Sequence, residues 1–310
     1  MPIIFTQPAG VGWEQKTSAP FTAEIGHRAM WLLPDDTVLV GSSGSFGAGL
    51  EVAIYTPSTD SWVLKNDFPA TFVGSTPVFH PTSGKPVVVG TNSPYDIYEY
   101  TSGTDTWANV DTWTVVHRNC GFANLDNGDV IAISSQQTSD RHKLTTWDGT
   151  TFTAVDPIST PPAGDDIQGR NVAFTADNGD VYTMGFYGYL PSGPNSNAIY
   201  KYEPAPTNAT NLLVATLPAE FYSPAYARLS GNRVMLIGGI DSGGTRSEVY
   251  IFNMDTETFT QFGYDFAAPA VPGGLGTSLG SGGNHAVTLA DGRVMSMTNS
   301  NDVYITVSAP

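Results

Sequence analysis

The sequence predicts an all-β fold, a six-bladed β-propeller of four-stranded antiparallel blades with the ring closed by the N-terminal strand. Three observations carry that expectation. The apolar runs are four to six residues long, too short for helices, and each is bounded by Gly, Asn or Asp. One arrangement of such runs recurs six times along the 310 residues. The two ends of the chain each carry part of a single copy, which joins them into one ring spanning residues 1–310 as one domain.

The recurring unit is clearest at Ala225-Tyr-Ala-Arg-Leu229, followed by Ser-Gly-Asn, Arg233-Val-Met-Leu-Ile-Gly-Gly239, a loop, Glu248-Val-Tyr-Ile-Phe252, a second turn and Phe259. It reads as four strands, A to D. Aligned on strand B, the copies run Asp36 to Gly41, Lys85 to Gly90, Asp129 to Ser134, Asp180 to Gly185, Arg233 to Gly238 and Arg293 to Thr298, at spacings of 49, 44, 51, 53 and 60. Tight hairpins are expected before each: Pro34-Asp35, Ser83-Gly84, Asn127-Gly128, Asn178-Gly179, Gly231-Asn232 and Asp291-Gly292. Strand C ends in an aromatic that a D-strand aromatic answers across a turn, in the pairs Tyr55 and Trp62, Tyr100 and Trp107, Trp147 and Phe152, and Phe252 and Phe259. Such rings suit the space between neighbouring sheets. The last copy has strands near His285 to Leu289, Arg293 to Met297 and Asp302 to Ile305, and then no fourth strand. The segment around residues 12–18, with Trp13, is expected to supply it and complete blade six.

The period, the glycine pair Gly238-Gly239 after strand B, the aromatic closing strand C and the Trp opening strand D resemble kelch repeats. The resemblance covers nearly the whole chain and implies a propeller; the other copies read Gly41-Ser42, Gly90-Thr91, Ser134-Ser135, Gly185-Phe186 and Thr298-Asn299 where the glycine pair would stand.

Composition narrows the function. With 13 Lys+Arg against 29 Asp+Glu the net charge is −16, which argues against nucleic acid as a partner. The chain is acidic overall yet only 14% charged, and its 33 Gly and 22 Pro exceed the usual shares of about 7% and about 5%. No apolar stretch reaches the roughly 18 residues of a membrane span, so no membrane insertion is expected. The amino terminus lacks a basic region before Lys16, so no cleavable leader is expected. A lone cysteine, Cys120, leaves no intramolecular disulfide framework.

In an up-and-down blade the A–B and C–D turns share one end, and the B–C loops and D–A connections share the other. The second set is long and irregular, at Ser42 to Leu50, Ser135 to His142, Phe186 to Asn197, Ile240 to Ser247 and Gly263 to Gly283. Recognition usually resides in such loops. Candidate binding residues follow from that geometry. Arg28, Arg118 and Arg170 begin A strands, as does His285, and would ring the channel mouth. Arginines there suit an anion or an acidic sugar; the competing reading is that each bonds the neighbouring blade. Tyr187 and Tyr189, in Phe186-Tyr-Gly-Tyr-Leu-Pro191, would offer rings to a protein or a sugar. Gly276-Thr-Ser278-Leu-Gly280 matches a nucleophile elbow in letters but lies in a glycine-rich loop without the strand and helix that motif needs. Asp126-Asn-Gly-Asp129 and Asp177-Asn-Gly-Asp180 read as hairpin turns rather than calcium loops, and Asn208-Ala-Thr210 is a lone sequon.

The expected function is therefore non-enzymatic: a structural or interaction protein with protein partners, possible surface glycan binding and no cofactor. A virion-associated component, such as a phage tail nozzle or fibre, or a surface recognition protein fits the composition, with a virion or extracellular surface location. A cytoplasmic kelch adaptor is the alternative. One enzyme alternative stands beside these. Asn284-His285-Ala-Val-Thr-Leu looks like the Tyr-His strand of galactose-oxidase-like copper radical enzymes. That resemblance would imply a copper held by a Tyr–His pair, a second His and a Cys–Tyr crosslink; here Asn284 stands at the tyrosine position and Cys120 begins an inner strand.

Overall fold

The computed structural model describes residues 12–22, 25–44, 50–69, 77–90, 95–113, 121–133, 144–155, 167–168, 172–184, 187–188, 198–203, 209–217, 224–241, 244–262, 286–298 and 300–310. After β1 (Trp13–Lys16), blade one is β2 (Ile25–Leu32), β3 (Val38–Gly44), β4 (Leu50–Thr56) and β5 (Ser61–Lys65). Blade two is β6 (Val78–Phe79), β7 (Pro86–Val89), β8 (Tyr95–Thr101) and β9 (Thr106–Trp113). Blade three is β10 (Gly121–Asn124), β11 (Val130–Ile133), β12 (Leu144–Trp147) and β13 (Phe152–Val155). A short β14 (Ile167–Gln168) precedes blade four, which is β15 (Val172–Thr175), β16 (Val181–Met184), β18 (Ala198–Glu203) and β19 (Ala209–Thr216), with β17 (Tyr187–Gly188) inserted. Blade five is β20 (Ala225–Leu229), β21 (Arg233–Asp241), β22 (Gly244–Asn253) and β23 (Thr258–Gln261). Blade six is β24 (Ala286–Thr288), β25 (Val294–Met297) and β26 (Val303–Thr306), and β1 is its fourth strand.

The ring closes as the chain ends predict. β1 runs antiparallel to β26, with Trp13 opposite Thr306 and Lys16 opposite Val303. The backbone of Val307 donates to Gly12 O at 2.9 Å. The inner strands line the axis: β24 touches both β2 and β20, and β10 touches both β6 and β15.

Burial follows position in the blade. Second strands lie between two neighbouring blades, so β7, β11, β16 and β25 are buried at every residue and read as unbroken apolar runs. The outer strands β5 and β23 are exposed apart from the half-buried Trp62, Lys65 and Phe259. Alternation along the inner strands then sends successive side chains to opposite neighbours. Met30 packs with Met295 and Ile305 of blade six, whereas Ala29 and Trp31 pack with Val88 and Tyr100 of blade two. The seams continue round the ring, through Trp113 and Trp147 between blades two and three, Ala123 and Ala173 between three and four, Tyr182 and Phe252 between four and five, and Ala225 and Ala286 between five and six.

The four aromatic pairs are register partners, Tyr55 with Trp62, Tyr100 with Trp107, Trp147 with Phe152 and Phe252 with Phe259. Ring centroids lie 4.8, 4.8, 6.1 and 4.9 Å apart, respectively. Two of them also fasten the preceding blade. Tyr55 and Tyr100 donate to Asp60 and Asp105 at 2.8 and 2.9 Å. Asp60 in turn accepts from the Thr17 amide at 3.0 Å, and Asp105 from the Asn66 amide at 3.2 Å. Trp62 and Trp107 donate to the carbonyls of those same residues, Thr17 and Asn66. The ends of the outer strands of blades six and one are thus clasped by the C–D turns of blades one and two.

Two local expectations are corrected. None of the six A–B turns is a two-residue hairpin: His80 pairs Lys85 across four residues in blade two, and Leu229 pairs Arg233 across three in blade five. The A–B turns of blades one, three, four and six share one form. Their loops hold three residues, with the left-handed position at Asp36 (φ 63°), Gly128 (93°), Gly179 (86°) and Gly292 (82°). The amide of each returns to the residue opening the loop, Leu33, Leu125, Ala176 and Leu289. This is a type I turn closed by a left-handed residue, which explains why glycine recurs at the third place and why Asp36 is the exception. The second correction concerns Ile240 to Ser247, expected as an irregular loop. β21 and β22 instead continue as a ladder to Asp241 and Gly244. The register shifts between Ile237 and Gly239, where Gly238 and Gly239 have φ of 59° and 128°. The glycine pair is therefore a bulge that bends the hairpin, a conformation that side chains with a Cβ resist.

Candidate functional site

The two ends of the ring differ in how their polar groups are used. On the A–B and C–D turns the side chains bond within their own turns or, as Asp60, Asp105 and Asp177 do, to the neighbouring blade. Thr37 donates to Asp35 at 2.7 Å, Asn127 to Asp129 at 2.8 Å, Asn178 to Asp180 at 2.9 Å and Thr150 to Asp148 at 2.9 Å. The Asp-Asn-Gly-Asp segments are turns of this kind. Among the described residues no group of three or more His, Cys, Asp or Glu could hold a metal ion.

At the other end, a D–A connection and a B–C loop pair with each other. β14 and β17 form a two-stranded ribbon in which Ile167 faces Gly188 and Gln168 faces Tyr187. Tyr187 therefore sits on a defined backbone element that links the approach to blade four with that blade's own loop. Arg118, Arg170, Tyr189 and His285 lie outside the described residues, as do Cys120, Ser278, Asn208 and the stretch 263–285.

Arg28 is described and does not face solvent. It points from β2 into the seam with blade six, where Nη2 donates to Asn301 Oδ1 at 2.7 Å and Nη1 lies 3.4 Å from Met297 Sδ. Its guanidinium carbon stands 5.8 Å from the centre of the Phe21 ring. Asn301 completes the clasp by donating to Phe21 O at 2.9 Å. Burial alone pulls Arg28 down to about 9.

A second inner-strand arginine was not singled out by the sequence. Arg228 of β20 lies near the A–B end and donates to Asp177, in the turn of blade four, and to Asn232 at 3.0 Å. Asn232 also accepts from the Asp177 amide at 2.9 Å and donates to Asp255. Desolvation lowers Arg228 below its ordinary value, against the opposing field of Asp177. The signal was present in Asp177-Asn-Gly-Asp180, but only the ring geometry brings a turn to a residue 51 positions away. Arg228 also borders an axial cavity of about 360 Å³ walled mainly by apolar groups, including Met30, Leu32, Phe79 and Val287.

No protein-family model matches the sequence, and no curated protein matches it. Among solved structures, the fold is similar to one described as a novel fungal alcohol oxidase with catalytic diversity among the AA5 family, in complex with copper, with a TM-score of 0.59. The two chains are 14% identical, and the likeness covers 91% of this chain and 62% of that one. This chain thus spans less than two thirds of the oxidase's length, and at that identity the likeness establishes the propeller fold alone.

Proposed function

We propose that the chain is a recognition scaffold, a rigid propeller that engages a protein partner or a surface glycan through its B–C loops and D–A connections, as a component of a virion or other surface assembly. The observation that carries this reading is the contrast between the ends. Short turns whose carboxylates and amides already bond one another offer little to a partner. The opposite end supports a paired ribbon bearing Tyr187, on a ring whose seams hold it in place. Replacing Tyr187 and Tyr189 together with Ala should weaken partner binding or assembly, while stability stays within about 0.5 kcal/mol, the range of surface changes. Unfolding of the double variant would mean that the rings are packing residues, and the reading would fail.

A second reading is favoured by the solved neighbour, described as an alcohol oxidase in complex with copper. Under it, His285 and Cys120 would belong to a copper centre. Elemental analysis of copper-supplemented protein separates the two readings. The scaffold reading expects no stoichiometric copper and no crosslink at Cys120; one copper per chain with a thioether to a tyrosine would put the oxidase first.

A further inference from the structure

Among the described residues, the cation in the seam between blades one and six has no counter-charge. Arg28 is 0% exposed, and none of the ion pairs among the described residues involves it. Of its five N–H groups, one meets a strong acceptor, Asn301 Oδ1, and one a thioether, Met297 Sδ. Nε is buried and makes no hydrogen bond. Across the β2–β3 ladder the register partner of Arg28 is Ser42, which is 1% exposed and whose hydroxyl is likewise buried without a partner. Both side chains face blade six, because Arg28 alternates in step with Met30, and Ser42 with Val38 and Val40, which pack in that seam.

Two unpaired donors on one cross-strand pair, one of them fully charged, ask for an acceptor that carries negative charge. A neutral group would satisfy the hydrogen bonds but leave the desolvated cation uncompensated. We propose that the Arg28–Ser42 pair binds one small monovalent anion of halide size in the seam between blades one and six. Enclosure sets the size, since neither residue reaches solvent and a bulky oxyanion or a partner's carboxylate would have to part the blades. The ligand set also sets the consequence. Arg28 and Ser42 come from blade one, and the Asn301 and Met297 that fix the guanidinium come from blade six. The anion site exists only when the ring is closed, so the ion favours the closed ring.

The test is urea unfolding of the full chain at fixed ionic strength, with sodium gluconate replaced stepwise by sodium chloride, sodium bromide, sodium acetate or sodium sulfate. Once chloride exceeds its dissociation constant, the unfolding equilibrium constant should fall by about tenfold per tenfold rise in chloride. Bromide should act likewise, and acetate and sulfate should match gluconate. Arg28→Met should lose the chloride response, and Ser42→Ala should shift it to higher concentration. In crystals grown with bromide, an anomalous peak should lie within hydrogen-bonding reach of Arg28 Nε. Equal midpoints in chloride and gluconate, an equal response to sulfate, or an undiminished response in Arg28→Met would each overturn the proposal. Should Arg28→Met fail to fold, Ser42→Ala and the bromide crystal decide, and a wild-type crystal without that peak counts against the site.

Discussion

Asp60 shows how one side chain converts a turn into a joint. It occupies a left-handed position (φ 48°) that closes the turn, and its carboxylate gathers the Tyr55 hydroxyl, the Thr17 amide and the Thr17 hydroxyl. Desolvation pushes its pKa up, but the bonds from Tyr55 and Thr17, with the charge of Lys16, outweigh that and hold it below the ordinary value. The folded pKa therefore lies below the unfolded one. Its contribution is present above about pH 3.9, the unfolded value, and is lost as pH falls through the folded value. Asp60→Ala should cost about 1–2 kcal/mol, as for hydrogen bonds to a charged group near the surface, and Asp60→Asn less, because Asn tolerates the backbone and keeps one acceptor. Thermal unfolding followed from neutral to acid pH should show a shallower acid limb in Asp60→Asn than in the parent; identical limbs would remove Asp60 from the clasp. The Tyr and Trp of this joint were legible as an aromatic pair, since both letters recur at fixed spacing. The partners Thr17 and Asn66 were not, because they belong to the preceding blade, 43 and 39 residues from the aspartates. Arg28 illustrates the same limit, its acceptor Asn301 lying 273 positions away.

At the scale of elements, the inner strands set the tightest tolerance. A Cβ built at Gly121 would lie 3.0 Å from Ala173 Cβ, 3.1 Å from Ala173 N and 3.2 Å from Val172 C, so β10 approaches β15 too closely for a side chain. Gly121→Ala should destabilise by about 1–3 kcal/mol, the usual cost of overpacking, read as a lower urea midpoint with unchanged slope. A midpoint equal to the parent's would place the two strands farther apart than described. Strand positions were legible because second strands are covered on both faces and turn residues punctuate them. Two features escaped. The third residue of the A–B loops takes the left-handed conformation, which a two-residue Asn-Gly reading assigns to a tighter hairpin. The bulge at Gly238-Gly239 extends a ladder that the polar letters from Asp241 to Arg246 present as a loop.

For the whole molecule, six sheets share their cores pairwise, so no blade owns a complete core. Closure by β1 follows from that economy, since β26 is buried throughout and needs a strand beside it. Deleting residues 1–18 should uncover Val303 and Ile305 and take away Trp13, producing aggregation or a loss of cooperative unfolding. A truncated chain that stays monomeric and melts like the parent would contradict closure.

Function at this scale rests on the contrast between a self-satisfied set of turns and a loop-bearing end, and the sequence displayed the contrast as loop length without showing which loops pair. The measurement that bears on it most directly is hydroxyl-radical footprinting of the full chain, free and within the native assembly isolated from its source. The account predicts protection of Tyr187 and Tyr189 on assembly, with the A–B and C–D turns labelled equally in both states. Protection confined to those turns, with Tyr187 and Tyr189 labelled alike free and assembled, would contradict it.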